Sequence, residues 1–326
     1  MKLSKKSSCG VFILLFIVMA LVYFVGTKKN NVLYVWPLWG IGNRLRTLRV
    51  CFAISKYMKK EMVIIEHEDE GFKGSISKIF GLPFKTVSLK YFLTVISPLQ
   101  NVPVVNYTEQ CANRLSYDIL SKHKNTSVCF KGCEIRFDSD NLNFVNDRSL
   151  YSYIHFTPPT VSIDKVLHEI RTKSAIGVHI RQGNVNDWER GFFFNDEWRG
   201  ISKKEPESAP LMCCFEDKSK NLSACTSNVT YLERYIKKMK TFPNDTTFFI
   251  CSDRPGCMLY LHQLFPNRII SNSLAIETKL IDTMRGVYDF YCLSQCTKII
   301  ATDVSTFCDE ARRIGNIPVE SIKRKG

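Results

Sequence analysis

The sequence lacks the marks that assign a protein at sight. It has no G-x-y period and no heptad run, which excludes fibrous classes. No repeat of roughly 20–50 residues recurs, which argues against solenoids and other arrays. GxxxxGKS/T, HExxH and GxSxG are all missing, so P-loop, zincin and nucleophile-elbow chemistry has no anchor. Acid is scarce beside base: 31 Asp and Glu face 45 Lys and Arg, a net charge of +14. What the chain does have is material for a core. Of 326 residues, 45% are apolar and 12% aromatic, too rich for disorder and enough for one or two domains. Thirteen cysteines in a chain this long are too diluted for a small disulfide scaffold.

The basic excess invites a nucleic-acid reading. Five of those charges (Lys2, Lys5, Lys6, Lys28 and Lys29) only flank an apolar run, and without them the excess is +9. That run, Cys9–Gly26, holds 18 residues without charge or proline, near the lower limit for crossing a hydrocarbon core. It ends in Tyr23, Phe24 and Val25, a poor cleavage site, which favours an uncleaved signal anchor over a signal peptide. Lysines at both ends leave the positive-inside bias weak. The expectation is a single-pass type II membrane protein, residues 1–31 being tail and anchor, with its bulk facing the Golgi or ER lumen. Five Asn-x-Ser/Thr sequons (Asn106, Asn125, Asn221, Asn228, Asn244) and twelve cysteines outside the run suit an oxidising lumen. Cys111, Cys129, Cys133, Cys213, Cys214, Cys225 and Cys257 lie in loop-like sequence and are the candidates for disulfides. Cys51, Cys251, Cys292 and Cys308 sit in apolar patterns and read as buried thiols. A zinc site at Cys129 and Cys133 lacks a second Cys/His pair, so no metal is expected.

Val32–Trp36 is β-rich, a glycine-containing turn follows, and residues 44–60 carry a helical period. That period sets Leu45, Leu48, Phe52 and Ser55 on one face, with Arg46, Arg49, Lys56 and Lys59 elsewhere. Met62–Glu66 is a second strand, completing a βαβ unit. Glu68-Asp69-Glu70, which loosely imitates a metal-binding triplet, reads as a solvated loop, and residues 100–150 as polar loops without a strong period. Alternation then resumes: helix 163–171, strand 175–180, a long polar loop region 181–210, helix 231–240, strand 246–252, helix 257–264, strand 268–271, helix 281–295, strand 297–302 and helix 305–314. Such alternation predicts an α/β protein with parallel sheets covered on both faces. Two blocks of it predict two Rossmann-like domains, residues 32–155 and 156–326.

Ligands of open α/β sheets bind at the carboxyl ends of strands. Four such places carry suggestive residues. Gly40-Ile41-Gly42-Asn43 opens a helix and reads either as an anion-ready terminus or as a tight turn with Asn43 as N-cap. His179 and Arg181 share one side of their strand; the guanidinium can grip a phosphate bidentately, or pair with a carboxylate beside a core histidine. Ser252-Asp253 suits a ribose or a base, or a helix cap. Ser305-Thr306 begins a helix and suits an anion or simple capping; Asp289, inside an apolar helix face, needs a ligand or an Arg as partner.

Taken together these motifs resemble the GDP-fucose-dependent fucosyltransferase superfamily. Gly40-Ile41-Gly42-Asn43-Arg44-Leu45 is similar to its N-terminal G-x-G-N-x-L signature, and His179-Ile180-Arg181-Gln182-Gly183-Asn184 to H-x-R-R-G/T-D. Ser252-Asp253, Tyr288–Gln295 and Ser305-Thr306-Phe307 are similar in order and spacing to its C-terminal motifs. The resemblance implies a GT-B fold of two facing Rossmann-like domains, with the nucleotide mainly in the C-terminal one. It implies that Arg181 binds the β-phosphate of GDP-fucose, His179 and Asp289 contact guanine, and Ser305 and Thr306 contact phosphate. Ser252 and Asp253 would lie near the nucleoside, with Gly40, Gly42 and Asn43 facing fucose and the β-phosphate. Glu189 is the candidate base for the acceptor hydroxyl, with Asp187 its rival. A fixed cation such as Arg181 can take the leaving charge of GDP without a metal, so no metal or cofactor is expected; the resemblance implies that the transfer is inverting. The partners would be GDP-fucose, a glycan or glycoprotein acceptor and the membrane, with no nucleic acid. Gln182 and Asn184 depart from the family's Arg and Asp. That keeps two alternatives open: a different nucleotide sugar, or an inactive lectin-like protein of the same fold.

Overall fold

The computed structural model describes residues 31–69, 72–107, 115–133, 135, 143–156, 161–181, 192–194, 197–201, 213–214, 232–252, 255–271, 282–303 and 305–323. The expected anchor and its flanks, the Gln182–Asn184 departure, Asp187, Glu189, Asp253, Cys111 and Cys225 lie outside them. Among the described residues no helix is long and apolar enough to cross a membrane. The chain divides into two compact units between His155 and Phe156.

The first unit opens with β1 (Val32–Pro37), whose residues 32–35 are all buried, then α1 (Ile41–Met58) and β2 (Glu61–Glu66). It continues with α2 (Ile76–Ile79), β3 (Lys85–Ser88), α3 (Leu89–Tyr91), a π-helical turn (Phe92–Ile96), α4 (Ser97–Gln100), β4 (Val104–Tyr107), α5 (Tyr117–Lys122) and β5 (Val128–Gly132). The strands form one parallel sheet in the order β3-β2-β1-β5-β4. Strands β3, β4 and β5 were not foreseen, since β3 and β4 are mostly polar or exposed edge strands with little apolar alternation. Cys129 and Cys133, expected as disulfide candidates in a loop, are in no disulfide and are buried on and just after β5. One sheet face packs Tyr34, Val63, Ile65 and Cys129 against Phe92 and Ile96.

The second unit contains α6 (Val161–Thr172), β6 (Ile176–Ile180), β7 (Phe192–Phe194), β8 (Glu197–Ile201), β9 (Cys213–Cys214), α7 (Leu232–Met239), β10 (Phe248–Ser252), α8 (Pro255–Leu264), β11 (Ile269–Ser271), α9 (Asp282–Ser294), β12 (Lys298–Thr302), α10 (Thr306–Gly315) and β13 (Val319–Ile322). Its main sheet is parallel, β11-β10-β6-β12-β13. In chain order this is third, second, first, fourth, fifth, the doubly wound arrangement whose direction reverses between β6 and β12. Strands β7, β8 and β9 form a small antiparallel sheet where the sequence reads as loop. Cys257, also expected as a disulfide candidate in a loop, is in no disulfide and is buried in α8.

Helices cover both faces of the main sheet, which is why its strands are near-continuous apolar runs. On one face Leu232, Tyr235, Ile236 and Met239 of α7 and Met258 and Leu261 of α8 pack on Val178, Ile180, Phe248 and Ile250. On the other, Gly177 lets α9 close onto the sheet: a Cβ there would stand 2.6 Å from the Leu293 Cδ1. The expected helices and strands of this unit are all present, with ends shifted by a few residues.

Candidate functional site

In the first unit the sheet reverses direction between β1 and β5, and the turn after β1 leads into α1. The helix begins at Ile41, three residues before the expected start. Gly40 is therefore the N-cap, and no side chain caps the helix; Asn43 sits inside the first turn. The reading of Asn43 as N-cap is thus corrected. Gly40 and Gly42 stand at the terminus as expected, and a Cβ on Gly40 would meet no atom within 4 Å.

An ion pair fixes this turn. Arg44, fully buried, donates from Nε to the Trp39 carbonyl at 2.7 Å and from a terminal nitrogen to Asp69 Oδ2 at 2.7 Å. The same Asp69 oxygen accepts the Trp39 N–H at 3.0 Å, and the Phe72 ring lies 4.7 Å from the guanidinium carbon. Burial lowers the Arg44 pKa, and the neighbouring Asp69 and Glu66 carboxylates counter it. The clamp holds Trp39 at φ 67°, a left-handed conformation unusual for so large a residue. Asp69 is therefore an ion-pair partner and not part of a merely solvated loop. Arg49, expected off the apolar face, is also buried. Where the sheet reverses, Trp36 of β1 carries the Lys131 ammonium of β5 at 4.1 Å from its ring centroid.

In the second unit the expected residues converge on the carboxyl ends of β6, β10 and β12. His179 is buried on β6 and stacks on Phe307 of α10, centroids 5.0 Å apart. Phe290 of α9 meets the same Phe307 edge-on. Among the described residues the His179 Nδ1 is a buried atom without a hydrogen-bond partner. Burial, with the Arg181 charge beside it, drives the imidazole pKa down to about 3, so the ring is neutral. Arg181 follows directly where β6 ends, its own N–H bonded to the Thr302 hydroxyl at 3.0 Å. Ser252 closes β10, and its carbonyl accepts from Arg285 of α9 at 2.8 Å.

Asp289, one turn further along α9, is buried; its only described ion pair is with Arg285, at 4.0 Å. Burial outweighs that cation and lifts the carboxyl pKa to about 7. Ser305 caps α10 through its side chain, accepting from the Cys308 N–H, so its hydroxyl has the capping role. Thr306 is the first helical residue, half-buried at that terminus. Among the described residues no group of three or more His, Cys, Asp or Glu is placed to hold a metal ion.

Sequence reasoning missed Arg285, Tyr235 and Thr302. Arg285 was legible as the residue four positions before Asp289 on one helix face. Tyr235 and Thr302 carry no motif, and only the fold brings them to β6.

No protein-family model and no curated protein sequence matches the chain. Solved structures do. A mutant FUT1 of Arabidopsis thaliana in complex with GDP superposes with a TM-score of 0.53 at 11% identity, covering 90% of this chain and 70% of that one. This chain has that fold. POFUT1 in complex with GDP aligns over 91% of this chain and 99% of its own, at 13% identity and a TM-score of 0.48. The fucosyltransferase NodZ from Bradyrhizobium aligns over 86% and 91%, at 16% identity and a TM-score of 0.47.

Proposed function

We propose that the protein is a fucosyltransferase that moves fucose from GDP-fucose to a hydroxyl of a glycan or glycoprotein. The observation that carries this reading is the convergence at the reversal point of the second sheet. There a neutral histidine with an open Nδ1, a buried carboxyl, an arginine at a strand end and a helix N-terminus meet. That set matches a purine nucleoside diphosphate. A guanine presents adjacent N1–H and N2–H donors to a carboxylate such as Asp289, and the diphosphate needs a cation and backbone N–H groups. The shared fold with a GDP-bound structure supports the same choice of nucleotide.

In the transfer, the bond from the fucose C1 to the β-phosphate oxygen breaks and its electron pair leaves with GDP. Arg181 stabilises that charge. The acceptor oxygen bonds C1 from the opposite face, with inversion, and its proton passes to a carboxylate, for which Glu189 is the candidate. Residues 156–326 would hold the nucleotide and residues 32–155 the acceptor side. Anchoring by residues 9–26, with the catalytic bulk in the secretory lumen, belongs to the same reading.

The test uses the full chain in detergent. GDP is titrated calorimetrically, and GDP release from GDP-fucose is followed with a panel of glycans and glycoproteins. Binding of GDP and transfer of fucose are expected; absence of both overturns the proposal. Preferential stabilisation by a uridine nucleotide would move the donor to another sugar.

A further inference from the structure

The backbone that launches Arg181 is held by two side chains that no motif contains. The parallel ladder between β6 and β12 runs from Ile176↔Lys298 to His179↔Ala301. One step beyond, the Arg181 N–H is taken by a side chain, the Thr302 hydroxyl, at 3.0 Å. That hydroxyl lies 2.6 Å from the Tyr235 hydroxyl, and Tyr235 donates to the His179 carbonyl at 2.9 Å.

The two ends of the network have fixed directions. The Arg181 N–H can only donate, so Thr302 accepts from it. The His179 carbonyl can only accept, from Tyr235 at 2.9 Å and from Thr302 at 3.4 Å, while between the two hydroxyls either can be the donor. The result is a closed hydrogen-bonded bracket across residues 179–181, in which each bond polarises the next. Both side chains are fully buried, Tyr235 at 0% and Thr302 at 1% exposure. Tyr235 reaches the bracket from α7, on the sheet face where it packs among Val178, Ile180 and Met239. His179 stacks on Phe307 of α10. A hydroxyl in so apolar a helix face has the strand end as its polar destination.

We propose that Tyr235 and Thr302 are positioning residues: their paired hydroxyls set the direction in which Arg181 leaves β6, and so the placement of its guanidinium on the β-phosphate of the bound nucleotide. The inference rests on the nucleotide reading above. Neither residue touches the substrate; both act through Arg181.

The test compares GDP with GMP, which lacks the β-phosphate, by calorimetry on the full chain in detergent. Tyr235→Phe is expected to weaken GDP about tenfold, the worth of one misplaced charge-assisted hydrogen bond, and to leave GMP unchanged. Thr302→Val, nearly isosteric, should do the same and serves if Tyr235→Phe does not fold. Thr302→Ser should restore wild-type GDP affinity. In an Arg181→Ala background the effect of Tyr235→Phe should vanish. Equal losses for GDP and GMP, or an undiminished loss in the Arg181→Ala background, overturn the positioning role while leaving the nucleotide reading standing. A wild-type protein that binds neither nucleotide overturns both.

Discussion

The two units build their strand ends in opposite ways. In the first, the cation at the turn after β1 is spent internally: Arg44, Asp69 and Trp39 satisfy one another, and the guanidinium is sealed from solvent. In the second, the polar groups are held in place but left under-satisfied. Among the described residues His179 Nδ1 has no partner, and Asp289 reaches only a loose pair at 4.0 Å. A buried polar group without a partner costs stability, so each one calls for an explanation, such as a water, an ion or a functional role. The first unit's clamp is a structural device, although Trp36 Nε1 of β1 is also a buried atom without a partner among the described residues; the second unit's gap is, under the proposed function, where the nucleotide binds.

The contrast breaks most sharply with Arg181→Ala. Turnover of GDP-fucose should fall by roughly a thousandfold, as when a preorganised stabiliser of a leaving charge is removed, while far-UV circular dichroism and the melting temperature stay near wild type. Near-normal turnover would remove the leaving-group role. In the first unit the converse holds. Asp69→Ala leaves a buried guanidinium unpaired and should cost about 3 kcal/mol of unfolding free energy by urea titration. A loss under about 1 kcal/mol would show that the clamp is not structural.

Next comes the pH dependence of Asp289. Its ordinary pKa of 3.8 rises to about 7 on folding, so between those values the folded state holds more protons and stability falls as pH rises. His179 acts in the opposite sense: its fall from 6.5 to about 3 means stability is lost as pH drops below 6.5. The two slopes offset each other in the native protein. Asp289→Asn should uncover the histidine slope alone, gaining about 3 kcal/mol on wild type between pH 4.5 and 7.5 in urea titrations without nucleotide. Identical slopes in the two proteins would mean Asp289 is ionised in the empty site. The smallest effect belongs to Ser305→Ala, which removes a cap and should cost about 1 kcal/mol. A tenfold loss of GDP affinity without that loss of stability would instead make Ser305 a phosphate ligand.

Much of the second unit was legible beforehand, because buried parallel strands such as Phe248–Ser252 and Lys298–Thr302 write themselves as unbroken apolar runs. The first unit was half legible. Strands β3 and β4 were missed because edge strands exposed to water carry no apolar period, and β5 because Lys131 and the flanking cysteines read as loop. Cys129 and Cys257 read as disulfide candidates because their neighbours in sequence are polar, whereas their neighbours in space are apolar.

The sequence by itself determined the α/β alternation, the positions of most strand ends in the second unit, and the residue types gathered there, because local periodicity and turn chemistry are short-range properties. Only the tertiary structure decided which polar groups find partners. Asp69 meets Arg44 across 25 positions, Arg285 meets Ser252 across 33, and Tyr235 and Thr302 meet the backbone of residues 179–181 across 56 and more. Satisfaction of buried hydrogen bonds is a long-range condition, set when the sheets order their strands, and no window of sequence contains both halves of such a bond.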